Sequence, residues 1–227
     1  MLLGDGSANF SVTSFEVHSN QDNSPRDIEI GDFNNDFIMD IAITSGRGTL
    51  PDELILLLGN QGLGFISTES ISISLSTLGL ATGDLNGDNR QDLVMPNLQS
   101  VTVLLGNGTG LFTTSRFQIL DQFLLLNPEA GDLNGDRALD IVVMALANEG
   151  DSDGDSLFVL LGTGSGDFNV LSPIPLNMQF GIQADNSREF GQSDTIDIGD
   201  FNNDGQMDIV TANKGSGNIS LLLGRRP

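Results

Sequence analysis

The stretch GDFNNDFIMDIAI, residues 31–43, decides the fold of this chain, because it recurs three more times in nearly the same form. The other copies are GDLNGDNRQDLVM (83–95), GDLNGDRALDIVV (131–143) and GDFNNDGQMDIVT (199–211). In each copy, oxygen-bearing side chains stand at positions 1, 3, 5 and 9 counted from the first Asp, and an aliphatic run follows directly. The pattern predicts a cation-binding loop joined without a break to a β-strand.

Calcium is the cation that this pattern favours. Alternate side chains of a tightly wound loop can point towards one centre, and calcium accepts about six to eight oxygen ligands. The chain has no cysteine, and its single histidine, His18, lies outside all four copies. Zinc, copper and iron would therefore lack their usual sulfur and nitrogen ligands.

The EF-hand, another loop with this oxygen spacing, is excluded by the twelfth position. An EF-hand loop places a bidentate Glu there and lies between two helices. The residues at this position are instead Ile43, Met95, Val143 and Thr211. The aliphatic segments that contain them favour strands rather than helices.

Each predicted loop belongs to a longer unit of four strands, A to D, with the loop between strands A and B. A second aliphatic run, strand C, ends in glycine in every copy: 54–59, 101–106, 157–162 and 219–224. In three copies a glycine-rich hairpin turn then leads to a phenylalanine that begins strand D: Phe65, Phe112 and Phe168. The first Asp recurs after 52, 48 and 68 residues. A period near 50 with four antiparallel strands predicts an all-β array of β-propeller blades, whose core lies between neighbouring blades.

These motifs resemble the FG-GAP or VCBS repeats, found in the β-propellers of integrin α subunits and in many bacterial surface and secreted proteins. The resemblance covers essentially the whole chain, so we expect one repeat domain over residues 1–227. It implies up to four calcium ions, one in each of the loops 32–40, 84–92, 132–140 and 200–208. The implied ligands are the side chains at positions 1, 3, 5 and 9 and the carbonyl at position 7, namely Asp32, Asn34, Asp36, Ile38, Asp40, Asp84, Asn86, Asp88, Arg90, Asp92, Asp132, Asn134, Asp136, Ala138, Asp140, Asp200, Asn202, Asp204, Gln206 and Asp208.

Position 6 of the loop departs from the family pattern, which commonly has glycine there. It is occupied by Phe37, Asn89, Arg137 and, only in the last copy, Gly205. If this position needs a positive φ, a residue with a Cβ atom carries a conformational cost there. We therefore expect the fourth site to bind calcium most tightly and the first site least tightly.

Both ends of the given sequence fall within a predicted blade. The first residues, from Leu2, match the end of a strand C and its hairpin, and the last residues end at a strand C. We expect the chain to be part of a larger propeller. In the alternative, a closed four-bladed ring, the strand after Phe10 would pair beside the last strand C and complete its blade.

The composition of the chain limits the classes of partner that it can bind. The formal net charge of −22 makes nucleic acid and anionic membranes unfavourable partners, and no apolar stretch is long enough to insert into a membrane. No secretory signal is visible at the first residues, and we expect one upstream, because calcium sites and the lack of cysteine suit an extracellular or cell-surface protein.

The favoured function is a non-catalytic, calcium-stabilised binding or adhesion scaffold for a protein or glycan partner. The alternative is a polysaccharide lyase or hydrolase, or an accessory domain of one, but the sequence has no G-x-S-x-G motif and no cysteine nucleophile. Recognition is expected in the irregular loops on the face opposite the calcium loops, at 45–53, 145–156 and 175–195. The acidic segment DSDGD from Asp151 is interpreted as a solvated loop rather than a fifth cation site.

Overall fold

The computed structural model describes residues 2–4, 10–12, 14, 24–46, 52–61, 64–67, 70–73, 79–119, 123–147, 156–176, 195–213 and 218–225. Within these residues every regular element is a β-strand, and no helix is long and apolar enough to cross a membrane. All strand pairs are antiparallel. The predicted all-β class is confirmed.

The chain begins with a hairpin and then builds two complete blades. The hairpin consists of β1 (Leu2–Gly4) and β2 (Phe10–Val12). The first blade consists of β3 (Ser24–Gly31), β4 (Asp40–Gly46), β5 (Glu53–Gly59), β6 (Phe65–Ser67) and β7 (Ile71–Ser72), where β6 and β7 both pair with β5. The second blade consists of β8 (Ala81–Gly83), β9 (Asp92–Pro96), β10 (Ser100–Gly106) and β11 (Phe112–Gln118).

The third and fourth blades follow the same order. The third consists of β12 (Phe123–Gly131), β13 (Asp140–Ala147), β14 (Ser156–Gly162), β15 (Phe168–Val170) and β16 (Ile174–Pro175). The fourth has three described strands, β17 (Thr195–Gly199), β18 (Asp208–Asn213) and β19 (Asn218–Leu222). The predicted order A–loop–B–C–D is therefore confirmed in the first three blades, and A–loop–B–C in the fourth.

The first hairpin overturns the closed four-bladed ring. Strand β2 pairs with β1, with Gly4 opposite Phe10, rather than with β19. The same register joins strands C and D of the complete blades, where Gly106 lies opposite Phe112. The hairpin is thus a C–D pair of its own, because the glycine and phenylalanine that set the register recur in it. The described blades do not close into a ring.

The core lies between blades, as the repeat predicts. One cluster joins the second and third blades through residues such as Val103 and Phe158, and another joins the third and fourth through Val142 and Ile209. A third joins Leu56 of the first blade to Leu93 of the second. The second and third blades therefore bury both of their faces, and neighbouring blades stabilise one another by removing apolar area from water.

The A strands lie side by side along the inner edge of the array. Strand β3 contacts β8, β8 contacts β12, and β12 contacts β17. They bring together carboxylates from three blades, because Glu129 of β12 interacts electrostatically with Asp197 of β17 and with Glu29 and Asp27 of β3. Interaction of the third blade with the first, across the second, indicates that the A strands curve around a common axis as in a propeller.

The charge of Glu129 should make stability depend on pH. Burial, followed by the neighbouring Asp197, Glu29 and Asp27, raises its pKa to about 7. Since the folded state binds this proton more tightly than the unfolded state, stability is lost as pH rises from the ordinary glutamate value of 4.5 through about 7.

We expect Glu129→Gln to raise the melting temperature by about 2–4 °C at about pH 8, from roughly 1 kcal/mol after solvent screening, with little effect at about pH 4.5. Thermal melts of both proteins across this pH range test it, with the exposed Asp167→Asn as the matched control. An equal effect of Glu129→Gln at both pH values would show that the carboxylate is not the source.

Candidate calcium loops

The aspartate at position 9 clamps each predicted metal loop to its blade. Its Oδ1 atom accepts a hydrogen bond from the backbone N–H of the glycine that ends strand C or follows it, and its Oδ2 atom accepts one from the N–H at position 2 of its own loop. The Oδ1 distances are 2.8, 2.7, 2.8 and 2.8 Å and the Oδ2 distances 2.9, 2.8, 2.9 and 3.0 Å for Asp40, Asp92, Asp140 and Asp208. All four side chains are fully buried. We call this arrangement the position-9 clamp.

The glycine at the end of strand C is required by this geometry. A Cβ atom on Gly106 would lie 2.3 Å from the carbonyl oxygen of Gln91, and one on Gly162 would lie 2.1 Å from that of Leu139. Only glycine lets the end of strand C approach the loop closely enough for its N–H to reach the clamp. The LLLG motif therefore serves the loop as well as the strand.

The side chains at positions 1, 3 and 5 hold the loop in shape by accepting hydrogen bonds from its backbone N–H groups. In the third loop, Asp132 accepts hydrogen bonds from the N–H groups of Asp136 and Arg137 at 3.1 and 2.9 Å. The Asn134 Nδ2 atom donates to Asp136 at 3.1 Å, and Asp136 accepts from the N–H of Ala138 at 2.8 Å. The other three loops repeat this network with the equivalent residues.

The loop path requires a positive φ at two positions. Position 6 has φ values of 64°, 61°, 75° and 78° at Phe37, Asn89, Arg137 and Gly205, so the expected conformation is confirmed. Position 4 also has a positive φ, at Asn35, Gly87, Gly135 and Asn203. Sequence reasoning missed position 4, although asparagine and glycine, which both tolerate this conformation, occupy it in every copy. The first loop alone has no glycine at either position.

Phe37 should therefore destabilise the first loop. Its side chain is 97% exposed, so it gains no packing energy against the described residues, and its backbone adopts a conformation that is costly for a bulky residue. We expect Phe37→Gly to raise the free energy of unfolding by about 0.5–1 kcal/mol. The matched opposite change, Gly205→Ala, should lower it by about 1 kcal/mol. Urea unfolding of both variants without calcium measures these effects, and a loss of stability in Phe37→Gly would contradict the assignment.

The second loop contains a cation of its own. The Arg90 guanidinium forms an ion pair with Asp88 and donates from Nε to the carbonyl oxygen of Gly106 at 3.1 Å. The sequence predicted a role only for the backbone carbonyl of Arg90, as a metal ligand. The Arg90 side chain competes with an added cation for the position-5 carboxylate. The second loop therefore differs in charge from the first and fourth loops, whereas the third loop also contains an arginine, Arg137.

Repulsion and burial act on the position-9 carboxylates. Burial raises the pKa of Asp92 to about 6, and the nearby Asp88 and Asp84 raise it further, while the N–H groups of Gly106 and Leu85 oppose the shift. The pKa values of Asp40 and Asp140 are raised for the same reasons. A bound cation would relieve the repulsion between these carboxylates.

The chemistry of the donor set fits calcium. Each loop offers two exposed or half-buried aspartates, one asparagine and the buried clamp aspartate, all of them oxygen donors. A carboxylate has about four lone-pair directions, so an oxygen that accepts one N–H can still bind a cation. In the part of the chain that the structure describes, no three aspartate, glutamate or histidine side chains already surround one point as metal ligands. The groups that would hold the ion are the side chains at positions 1, 3, 5 and 9 and the carbonyl at position 7, where calcium would supply charge neutralisation.

The loops predicted to face a partner are only partly described. Residues 47–51, 148–155 and 177–194 lie outside the described residues, and so does the acidic segment from Asp151. Asp52, which the sequence placed among the recognition residues, is fully buried, and its Oδ2 atom lies 3.4 Å from Arg26 Nη1. The side chain of Asp52 packs against Gly46, so this residue of the loop is not exposed to a partner.

The repeated clamp, the acidic loop and the interblade core define an array of β-propeller blades built from repeats of one loop-and-strand unit. The FG-GAP-like repeat profile matches residues 32–95 and 84–143. The chain therefore belongs to the FG-GAP-like repeat family, which confirms the resemblance stated from the motifs.

No curated protein sequence matches the chain. Among solved structures, the chain is similar to a lectin of Agrocybe aegerita described as specifically recognising non-reducing terminal N-acetylglucosamine. The identity is 15%, the TM-score is 0.45, and the match covers 98% of this chain and 74% of the lectin.

Proposed function

We propose that the chain is a calcium-stabilised, non-catalytic binding scaffold of the cell surface or secreted fraction, which recognises a protein or glycan through loops opposite the calcium loops. The observation that carries the proposal is the fourfold repetition of one clamped, oxygen-lined loop on a regular blade. A device of the same geometry in every blade favours a role in holding the scaffold rather than in turning over a substrate.

The position of the loops supports different roles for the two faces, with stabilisation on one and recognition on the other. The N–H of Gly110, in the C–D hairpin of the second blade, donates to the carbonyl oxygen of Phe33 in the first metal loop at 3.0 Å. This bond joins the C–D hairpin of the second blade to the metal loop of the first, so the two lie on one face. The described strands lead into the B–C and D–A connections at their opposite ends, and the sequences of these connections vary in length and composition, as those of recognition loops do.

Binding to glycan and protein arrays tests the proposal. We expect binding in millimolar calcium, loss of binding in excess chelator, and loss when the acidic residues Glu149, Asp151, Asp153 and Asp155 are replaced together by Asn or Gln. The matched control is Thr109→Ala in the hairpin on the metal-loop face, which should bind as the wild type does. Binding that survives the loop replacement but is lost in Thr109→Ala would contradict the proposal, because it would indicate recognition on the metal-loop face. Turnover of a polysaccharide would contradict the non-catalytic role.

A further inference from the structure

We propose that the cleft between the first and second blades binds a carboxylate-bearing sugar unit of an acidic glycan, an inference that rests on the proposed binding function. The cleft has a volume of about 280 Å³ and lies between β7 of the first blade and β9, β10 and β11 of the second. It lies towards the end of the blades away from the metal loops, because its lining residues Met95, on β9, and Asn97, just after β9, are three and five residues beyond Asp92. This is the end where the recognition loops lie.

The floor of the cleft is apolar. Met95 and Leu104 are each 1% exposed, and Ile71 and Ile73 of the first blade form the facing wall. A surface of this kind covers the C–H face of a sugar ring without needing an aromatic residue, and the chain has neither tryptophan nor tyrosine.

A polar row crosses this floor where the equivalent row of the third blade is largely apolar. The strand register places Thr102 opposite both Met95 and Arg116, so the three residues share one row. Counting back from Gly106 and Gly162, the glycines that end strand C, Phe158 occupies the place of Thr102 in the third blade. Thr102 is only 6% exposed, so a hydroxyl group is buried where the first and third blades pack the large apolar side chains of Ile55 and Phe158. The fourth blade has the smaller hydroxyl of Ser220 at this place.

The polar row is fixed in place before any ligand arrives. Asn97, which is 7% exposed, donates from Nδ2 to the Thr102 hydroxyl at 3.2 Å. Its Oδ1 atom accepts from the N–H and the hydroxyl of Ser100 at 3.2 and 2.8 Å. These bonds hold the amide in one orientation and leave the Thr102 hydroxyl proton able to donate to a bound group. Ala145 occupies the place of Asn97 in the third blade.

The donor groups match a carboxylate that carries neighbouring hydroxyls. Arg116 supplies a planar guanidinium with several N–H donors, which suits a carboxylate, and the Thr102 and Thr114 hydroxyls suit the hydroxyls of a sugar. Arg116 is one of only 9 lysines and arginines against 31 aspartates and glutamates. This excess of negative charge repels a dense polyanion, so the cleft is suited to a single acidic unit.

The equivalent cleft between the second and third blades serves as an internal comparison. It has a volume of about 420 Å³, and Phe158, Val170 and Ser172 stand there in place of Thr102, Thr114 and Arg116. It therefore lacks both the cation and the buried hydroxyl, and we expect no binding of an acidic sugar there.

Methionine methyl NMR tests the proposal, because Met95 lies on the floor of the cleft and Met144 lies in the core between the third and fourth blades. Titration with methyl β-D-glucuronide should shift the Met95 methyl signal saturably and leave the Met144 signal unchanged. The neutral methyl β-D-glucoside should bind about tenfold more weakly, and Arg116→Met should weaken glucuronide binding by about tenfold or more. Ser172→Ala, the equivalent change in the second cleft, should have no effect.

The proposal is overturned if the Met95 signal does not respond to the glucuronide, if both sugars bind equally, or if Arg116→Met binds as the wild type does. Thr114→Val provides a second variant, expected to weaken binding several-fold, if Arg116→Met does not fold. The outcome is separable from that of the proposed function. If array binding depends on calcium and on residues 149–155, but the Met95 methyl signal does not shift with the glucuronide, the binding scaffold is supported and this site is overturned.

Discussion

Replacing Asp140 with alanine should destabilise the protein by about 2–6 kcal/mol, because two backbone N–H groups, one in a buried and one in a part-buried hydrogen bond, would each lose their acceptor at about 1–3 kcal/mol. The two donors are Gly162 and Leu133, both within 2.9 Å of the carboxylate. The side chain is fully buried, so water cannot replace it without opening the junction between the loop and strand C. Asp140→Asn should cost less, since its carbonyl oxygen still accepts one of the two bonds.

Urea unfolding in excess chelator measures this effect without any contribution from metal binding. The exposed Asp167→Ala is the control, and we expect it to change stability by less than about 0.5 kcal/mol. If the cost of Asp140→Ala disappears in chelator and is present only with calcium, the residue acts as a metal ligand alone and the clamp is wrong.

Adding calcium to chelator-treated protein should raise the melting temperature by more than about 10 °C. Each site filled at 100 times its dissociation constant adds about 2.7 kcal/mol, because the ion binds the folded loop and not the unfolded chain. Several such sites are expected, and each kcal/mol corresponds to about 2–4 °C in a chain of this size. The carboxylates at positions 1, 5 and 9 repel one another when no ion is present, which increases the difference.

Asp136→Asn separates this effect from that of the clamp. The asparagine retains an oxygen that can accept the N–H of Ala138, which Asp136 accepts at 2.8 Å, but it removes the charge that would hold the ion. We therefore expect it to reduce the calcium-dependent rise in melting temperature by roughly one site's share. In chelator it should melt close to the wild type. A full calcium response in this variant would show that the third loop does not bind the ion.

The sequence predicted the strand order and the loop positions because both depend on local patterns. The aliphatic runs and the glycine at the end of strand C set the strands, and the Gly–Phe register even assigned the first hairpin correctly. The alternative closed ring failed because the pairing partner of β2 depends on contacts distant in sequence. The positive φ at position 6 was expected from the family's usual glycine and not from Phe37 itself. Asparagine or glycine at position 4 was a local signal for the same conformation, but sequence reasoning missed it.

Sequence reasoning could not separate two roles of the position-9 aspartate. A metal ligand and an acceptor of two backbone amides both require a carboxylate at that place, so only the burial of Asp140 and its bonds identify the clamp. The burial of Asp52 could not be predicted either, because an acidic residue in an irregular loop is usually exposed and the sequence does not reveal its partner, Arg26.

Counting the calcium bound to the protein tests the calcium-stabilised scaffold most directly. The chelator-treated wild type is dialysed against millimolar calcium and then briefly against calcium-free buffer. Its calcium content is measured by elemental analysis and compared with that of a variant in which Asp36, Asp88, Asp136 and Asp204 are all asparagine. We predict several ions per wild-type chain, at most one for each loop, and almost none in the variant, with both proteins folded. A wild type that retains no calcium, or a variant that retains as much as the wild type, would contradict the assignment.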